Sequence, residues 1–563
     1  MKRCTPRVAI AFLLGLSASC SSRDPASLPA PAYPPARASD HTDQYHGVAV
    51  PDPYRWLEDT ASPEARAWIE AERQLTEAYL AGIPERPRLR ERLTALWDHP
   101  RYGVPMARGG RYFFRQNQGL QPQSALQVLD SPAGEPRLLL DPNSLAADGT
   151  VALADFEPSG DGRLLAYGLA AAGSDWQEWR VRDVASGKDL PDVLRWVKFS
   201  GASWTGDGKG FFYSRYDEPR GPARLEDLNY HQKLFYHRWG TPQSDDALVY
   251  QNAAEKEWSF DGEVTEDGRY LVIEIRRGTG PERRIACLDL TVPEAPPADL
   301  VTRFAAAYDF ITSEGPLFLF RTDLGAPRGR VVALDARAGP DAPPSAVIPE
   351  APETLELVTA AGDFLVASYL ADARSRVKVF RLDGAPVREI TLPGLGTARG
   401  FEGRRAAAEV FFSFTSFTEL EAVYRHDLAS GETAVFRKPA CDFDSGRFET
   451  RQVFAQSRDG TRVPVFVTHR KGLQLDGDQP ALLFGYGGFN IPMTPVFSVP
   501  AAAWLELGGI YAVANLRGGG EYGEEWHQAG TKLSKQNVFD DFIAAAEFLI
   551  REKYTNPRRL AIL

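Results

Sequence analysis

Hydrophobic positions along this chain change their spacing twice. From Pro63 to Tyr79, Ala67, Trp68, Ala71, Leu75 and Ala78 recur at three- and four-residue steps, which predicts a helix. A second helix is expected over Arg86 to Trp97. From about residue 100 to 435 the helical period disappears, and short apolar runs alternate with Gly, Asp and Pro, the texture of strands and turns.

Several of these runs share one shape, in which a glycine-containing turn launches a strand. They begin at Gly110, Gly162, Gly208, Gly268, Gly315 and Gly362, and a last one at Ala408 lacks the glycine. Successive starts lie 52, 46, 60, 47, 47 and 46 residues apart. A period of that length built only of strands predicts a β-propeller, and seven launch points predict seven blades. An irregular run of hairpins in a sandwich is the other reading of the same residues.

After about Phe448 strands begin to alternate with a helix. Val453 to Ser457 and Val463 to Val467 read as a hairpin around Arg458 to Thr461. Buried strands follow at Ala481 to Phe484 and Ile510 to Ala514, then a helix from Phe539 to about Lys553, then a short apolar strand at Leu560 to Leu563. That order predicts a parallel, doubly wound α/β sheet.

Composition limits what this architecture does. With 43% apolar residues, 25% charged residues and a net charge of −11, the 563-residue chain has material for several cores and no basic run to attract nucleic acid. Cys4, Cys20, Cys287 and Cys441 form neither a disulfide framework nor a metal-ligand spacing. Lys2 and Arg3 precede an apolar run from Val8 to Leu16, then Ser17, Ala18 and Ser19, the pattern of an export signal too short to span a bilayer. Cys20 is a lipidation candidate, although Leu16 stands one position early for that processing site; plain secretory cleavage near Ser19 is the alternative. Residues 21–35 read as a flexible tether. The expected location is outside the cytoplasm, as a periplasmic or secreted protein or a membrane-anchored bacterial lipoprotein.

Candidate chemistry sits in the loop Gly485 to Asn490, directly after a buried strand. At that place an α/β-hydrolase supplies one donor of its oxyanion hole, and the Tyr486 hydroxyl is a suitable donor. A packed tyrosine in a glycine-rich turn is the plainer reading. Gly518, Gly520 and Gly523 have Gly-x-Gly-x-x-Gly spacing, but no Lys-Ser/Thr pair and no immediate helix is expected after them, so a tight loop is preferred to a nucleotide site. Gly-x-Ser-x-Gly occurs nowhere in the chain, and the eight histidines (His41, His46, His99, His231, His237, His426, His469, His527) read as structural or surface residues.

Long motifs in a consistent order carry a family resemblance. They include His46 to Asp59, Gly119 to Gln123, Gly173 to Trp176, Leu190 to Leu194, Val197 to Ser200, Trp204 to Tyr213, His231 to Leu234, Tyr486 to Asn490, Ala514 to Gly523 and Lys535 to Asp541. With these segments the chain resembles prolyl oligopeptidase, the seven-bladed-propeller branch of the α/β-hydrolase serine peptidases.

The residues themselves set a signal peptide over 1–19 and a tether over 20–35; the resemblance implies an N-terminal helical part of the hydrolase domain over 36–100, the propeller over 101–440 and the first part of the catalytic domain over 441–563. It implies Tyr486 as the oxyanion donor, Phe489 as a wall of the proline pocket and Phe199 as a propeller residue of the outer subsites. Short proline-containing peptides are the implied substrates, and a monomer without cofactor is the implied form. The serine, aspartate and histidine of the triad are expected after Leu563, so the chain as given is expected to be inactive. Phe489 favours proline over the basic-residue preference of neighbouring oligopeptidases. A non-catalytic propeller that holds peptides is the reading from another class.

Overall fold

The computed structural model describes residues 31–218 and 229–563, so the expected export signal and the lipidation candidate Cys20 lie outside the described residues. Two compact units divide the chain after Glu91.

In the first unit a short hairpin, Thr42–Tyr45 with Val48–Pro51, precedes helix α1, Pro63–Ala81. The helix begins where the Ser62 hydroxyl accepts from the Ala65 amide at 3.2 Å. Pro63 takes the first helical turn, where its missing N–H costs nothing. Helix α2, Arg86–Trp97, has the expected bounds.

In the second unit, six hydrogen-bonded sheets occupy the described residues between Arg101 and Arg437. Five are single blades: a five-stranded sheet from Arg101 to Leu140, and four-stranded sheets that start at Trp258, Tyr308, Thr354 and Thr397. The sixth has eight strands between Val151 and Tyr250. Seven separate blade sheets were expected, and the hydrogen bonding corrects that count. One residue pair is responsible: Val197 stands opposite Arg215 and joins strand Lys188–Val197 to strand Gly210–Arg215.

The repeating turn has a simple cause. Gly110, Gly162, Gly208, Gly268, Gly315 and Gly362 all have positive φ, between 54° and 77°, a conformation that a Cβ strains. Each turn feeds a strand whose side chains pack against the next sheet. Phe318 and Phe320 thus share a core with Tyr270 and Val272 of the preceding sheet, and Val366 and Val377 share one with Phe412 and Phe414 of the following sheet. Between the first and last sheets no strand pair forms among the described residues. Instead Tyr112 sits edge-on to Phe411 at 5.6 Å and donates its hydroxyl to Glu409 at 3.2 Å.

Inner strands enclose a cavity of about 680 Å³ walled by Glu157, Asp261, Glu263, Glu274, Arg276 and Arg404. Glu263 opens onto the cavity yet is ringed by protein. That enclosure, with the carboxylates of Glu274, Asp261 and Glu157, pushes it up to about 8.

The remaining sheet has five strands in the order Phe448–Gln456, Arg462–Arg470, Ile510–Ala514, Ala481–Gly485, Leu560–Ile562. The last three run parallel, but the first two pair antiparallel, and Arg462–Arg470 is also antiparallel to Ile510–Ala514. The expected hairpin is therefore present, and with it the sheet that was expected to be parallel is mixed. The turn between the first two strands is too short for the crossover that parallel pairing needs. Along the strands side chains alternate between two faces. Val463, Val465, Val467, Ala512 and Leu483 lie under helix α5, Gln536–Arg551, while Phe466, Val513 and Tyr511 meet the propeller residues Phe417 and Ala373. Helix α3, Val499–Glu506, was not predicted; it packs Val499, Ala502 and Ala503 against Leu96.

Candidate functional site

Strand Ala481–Gly485 lies between its two parallel neighbours, so the chain crosses to one side of it and later to the other. Crevices at the carboxyl ends of such strands are where open α/β sheets bind ligands. Two loops leave the sheet there. One follows Gly485 and carries Tyr486 to Asn490; the other follows Ala514 and carries Asn515 to Gly523.

The first loop is strained. Phe489 and Asn490 have φ of 54° and 57°, adjacent left-handed positions that cost roughly 1–3 kcal/mol each without glycine. Neighbouring groups hold the turn. The Asn490 amide donates to Gly518 O at 3.1 Å and lies 3.1 Å from His527 Nδ1; the Ile491 amide donates to Gly488 O at 3.1 Å. From the other side, Lys535 Nζ donates to Gly487 O at 2.6 Å. This strain places two aromatic rings outward together. Tyr486 is 45% exposed and Phe489 82% exposed, with centroids 6.4 Å apart and planes inclined at 34°.

The second loop packs directly on the first, and that close approach explains its three glycines. A Cβ on Gly518 would stand 2.7 Å from Gly487 O, one on Gly519 3.0 Å from Ile491 O, and one on Gly520 2.6 Å from Asn490 O. Of the spacing that resembled a nucleotide motif, Gly518 and Gly520 thus serve contact between the two loops, and Gly523 serves contact with Pro327 of the propeller. One expectation changes here: helix α4, Glu524–Gln528, does begin immediately after Gly523. Five residues are too few to show a hydrophobic period. Its first turn carries Glu524 and Glu525, which repel a phosphate.

Behind the glycines Arg517 anchors the loop. Its guanidinium reaches Asp541 on α5, Asp459 in the hairpin turn at 2.5 Å, and the Ser457 hydroxyl at 3.3 Å. Hydrogen bonding to Arg517 holds the Asp459 carboxyl down to about 2. Glu521, also buried, accepts from the Met493 amide at 2.9 Å and from Asn515 Nδ2 at 3.1 Å. Its other oxygen, Oε2, has no hydrogen-bond partner among the described residues, and burial raises the carboxyl above its ordinary pKa.

The same loop faces the propeller. Thr354 Oγ1 donates to Glu521 O at 3.2 Å, the Tyr522 hydroxyl to Asp372 at 2.7 Å, and the Glu524 amide to Pro327 O at 2.9 Å.

Phe199 lies on the propeller, 54% exposed and with φ of 55°. Lys198 Nζ sits 5.1 Å from its ring and 5.2 Å from that of Trp176, which packs edge-on to Trp196 and Tyr216. No ring contact links Phe199 to Tyr486 or Phe489 among the described residues. Of the three candidate residues, the structure brings together Tyr486 and Phe489.

Two histidines have partners that the sequence did not reveal. His237 is wholly buried between Asp246, 2.6 Å from Nδ1, and Asp192, 2.9 Å from Nε2. His527 approaches both loops at Nδ1, 2.8 Å from Gly518 O. The partners of His527 and Lys535 lie 37 and 48 residues away in sequence, with no local pattern to announce them. Cys287 and Cys441 are both free.

The profile described as "Prolyl oligopeptidase, N-terminal beta-propeller domain" matches residues 34–439, and the one described as "Prolyl oligopeptidase family" matches residues 495–563. The chain is 39% identical to the prolyl endopeptidase of Elizabethkingia miricola, over 94% of this chain and 74% of that protein. It is 34% identical to prolyl oligopeptidase A of Galerina marginata, over 94% and 77%. A solved structure from a mechanistic study of two prolyl endopeptidases superposes with a TM-score of 0.88 at 38% identity, covering 94% of this chain and 78% of that one. Prolyl oligopeptidase B of Galerina marginata, bound to a 35-residue hydrolysis and macrocyclization substrate, superposes with a TM-score of 0.87 at 31% identity and the same coverage. With profiles matching most of its length, and with these relatives, the chain belongs to the prolyl oligopeptidase family.

Proposed function

We propose that this chain supplies the substrate-binding and oxyanion-holding surfaces of a serine peptidase that cleaves short peptides after proline. The observation that carries the reading is the joint projection of Tyr486 and Phe489 from one strained loop at the carboxyl end of the central strand. In acyl transfer to a serine, the scissile carbonyl oxygen becomes an oxyanion. The Tyr486 hydroxyl has no hydrogen-bond partner among the described residues and donates to that oxygen, beside a backbone N–H. Phe489 offers a flat apolar wall to the proline ring, and Phe199, with Lys198 and Trp176, receives residues further along the peptide. The names of the relatives support proline specificity, and the substrate-bound fungal relative supports a peptide ligand.

Two further features belong to this reading. The eight-stranded sheet acts as two four-stranded blades fused by one residue pair, which makes seven blades around the channel and limits access to short peptides. The sequence from Lys2 to Cys20 supports export, with Cys20 as the lipid acceptor; the mass of the mature N-terminus tests this.

The function is tested on protein expressed from the intact gene, with a short peptide containing an internal proline. Cleavage after proline is expected, and Tyr486→Phe lowers the rate by roughly 10²–10³. An unchanged rate in the variant removes Tyr486 from the mechanism. Peptide binding without cleavage makes the protein a peptide-holding propeller instead.

A further inference from the structure

We infer that Lys535, with His527, is a positioning residue that sets the loop presenting Tyr486 and Phe489. The inference rests on the roles just proposed for those two rings.

Lys535 stands at the N-cap of α5, where its side chain makes no capping hydrogen bond and its charge opposes the helix dipole. Its ammonium forms no ion pair among the described residues. The half-buried side chain gives nothing to the helix that bears it. Its hydrogen bond goes to the Gly487 carbonyl at 2.6 Å, one residue beyond Tyr486 and two before Phe489. The same nitrogen lies 4.0 Å from where a Cβ on Gly488 would be, so it underlies the middle of the loop.

His527 clamps the other end. Its Nδ1 is 2.8 Å from Gly518 O and 3.1 Å from the Asn490 amide. A single nitrogen cannot donate to the first and accept from the second at once. With Nδ1 protonated it donates to Gly518 O, and the Asn490 amide bonds the same carbonyl at 3.1 Å; with Nδ1 bare it accepts from Asn490. In both states the left-handed pair Phe489 and Asn490 stays anchored. Two side chains outside the loop therefore hold both ends of a turn that is unfavourable by itself.

The experiment compares Lys535→Met and Lys535→Arg in protein expressed from the intact gene. Lys535→Met is expected to lower kcat tenfold or more on a short proline peptide, and Lys535→Arg to recover most of the loss. Combined with Tyr486→Phe, Lys535→Met should cost less than twofold further, because the hydroxyl it positions is absent. Full additivity of the two losses overturns the inference. Amide exchange of residues 486–491 is measured alongside: it should quicken in Lys535→Met, while strand Ile510–Ala514 is unchanged. Equal exchange of the loop in both proteins also overturns the inference. If Tyr486→Phe alone leaves kcat unchanged, the reading of Tyr486 fails, and loop exchange alone decides the role of Lys535. Should Lys535→Met not fold, Lys535→Gln, which keeps a donor without charge, takes its place in every comparison.

Discussion

Arg517 and Asp541 meet through two nearly parallel hydrogen bonds, Nη2 to Oδ1 at 2.6 Å and Nε to Oδ2 at 2.9 Å, with both side chains buried. The Arg517 amide adds a third, to Asp541 Oδ2 at 3.1 Å. This pair ties the glycine loop to α5, and so fixes the distance between the elements that hold Tyr486 in place. Removing the carboxylate leaves a buried guanidinium with only Asp459 and Ser457. Asp541→Ala should therefore destabilise the protein by about 3–5 kcal/mol. The denaturant midpoint checks this, and a loss below about 1 kcal/mol would show that the pair is not what holds the loop.

His237 makes stability depend on alkaline pH. Burial lowers its pKa, but the Asp192 and Asp246 carboxylates on either side overcome that and raise it to about 9 from 6.5. The groups facing it are those two carboxylates, the Tyr213 hydroxyl that donates to Asp246, and the Phe211 ring. A raised folded-state pKa means that the contribution is complete below pH 6.5 and is lost as pH rises through 9. The size is on the order of 3 kcal/mol. Urea midpoints should fall between pH 6.5 and pH 10 in the parent protein and change much less in His237→Gln; parallel curves would rule out the assignment.

Burial holds the pKa of the Glu521 carboxyl above its ordinary value, and that shift makes stability depend on pH. It is buried, one oxygen is unpartnered, and its pKa is raised. The sign follows: the folded state favours the proton, so the stability this group allows is present at acid pH and is lost as pH rises through the raised value. Glu521→Gln keeps the two hydrogen bonds at Oε1 and removes the titration. The melting temperature of the parent should fall relative to that of the variant as pH rises above the ordinary carboxylate range, and a difference that does not change with pH would contradict the raised pKa.

Phe489 should matter for binding and not for folding. At 82% exposure its ring buries little, so Phe489→Ala is expected to change stability by less than about 0.5 kcal/mol. KM for a short proline peptide should rise, because the contact proposed for the ring is with substrate. A large fall in melting temperature with unchanged KM would make the ring structural.

Much of this was legible from the order of residues. The helices at Pro63–Ala81 and Arg86–Trp97 follow from apolar spacing, and the repeating turns follow from glycines that only positive φ requires. Tyr486 and Phe489 were visible because their loop follows a short buried strand. Helix α3 was hidden by being apolar nearly all round, with Val499, Ala501, Ala502, Ala503 and Leu505 all buried, so no polar face marks its period. The Val197–Arg215 pair that joins the strands between Val151 and Tyr250 into one eight-stranded sheet was equally hidden, since no local period announces it.

Local chemistry is what the sequence determined by itself: which segments curl, which extend, where a turn needs glycine, and which loop carries the rings. Tertiary structure alone decided what holds those rings. The long-range bonds of Lys535, His527, Arg517 and Glu521 span 24 to 60 residues of chain. Hydrogen bonds over such separations depend on how strands order and helices cross, and neither is written in a local period. Tyr486 could be found by reading along the chain; the strained turn that aims it exists because distant groups converge on it.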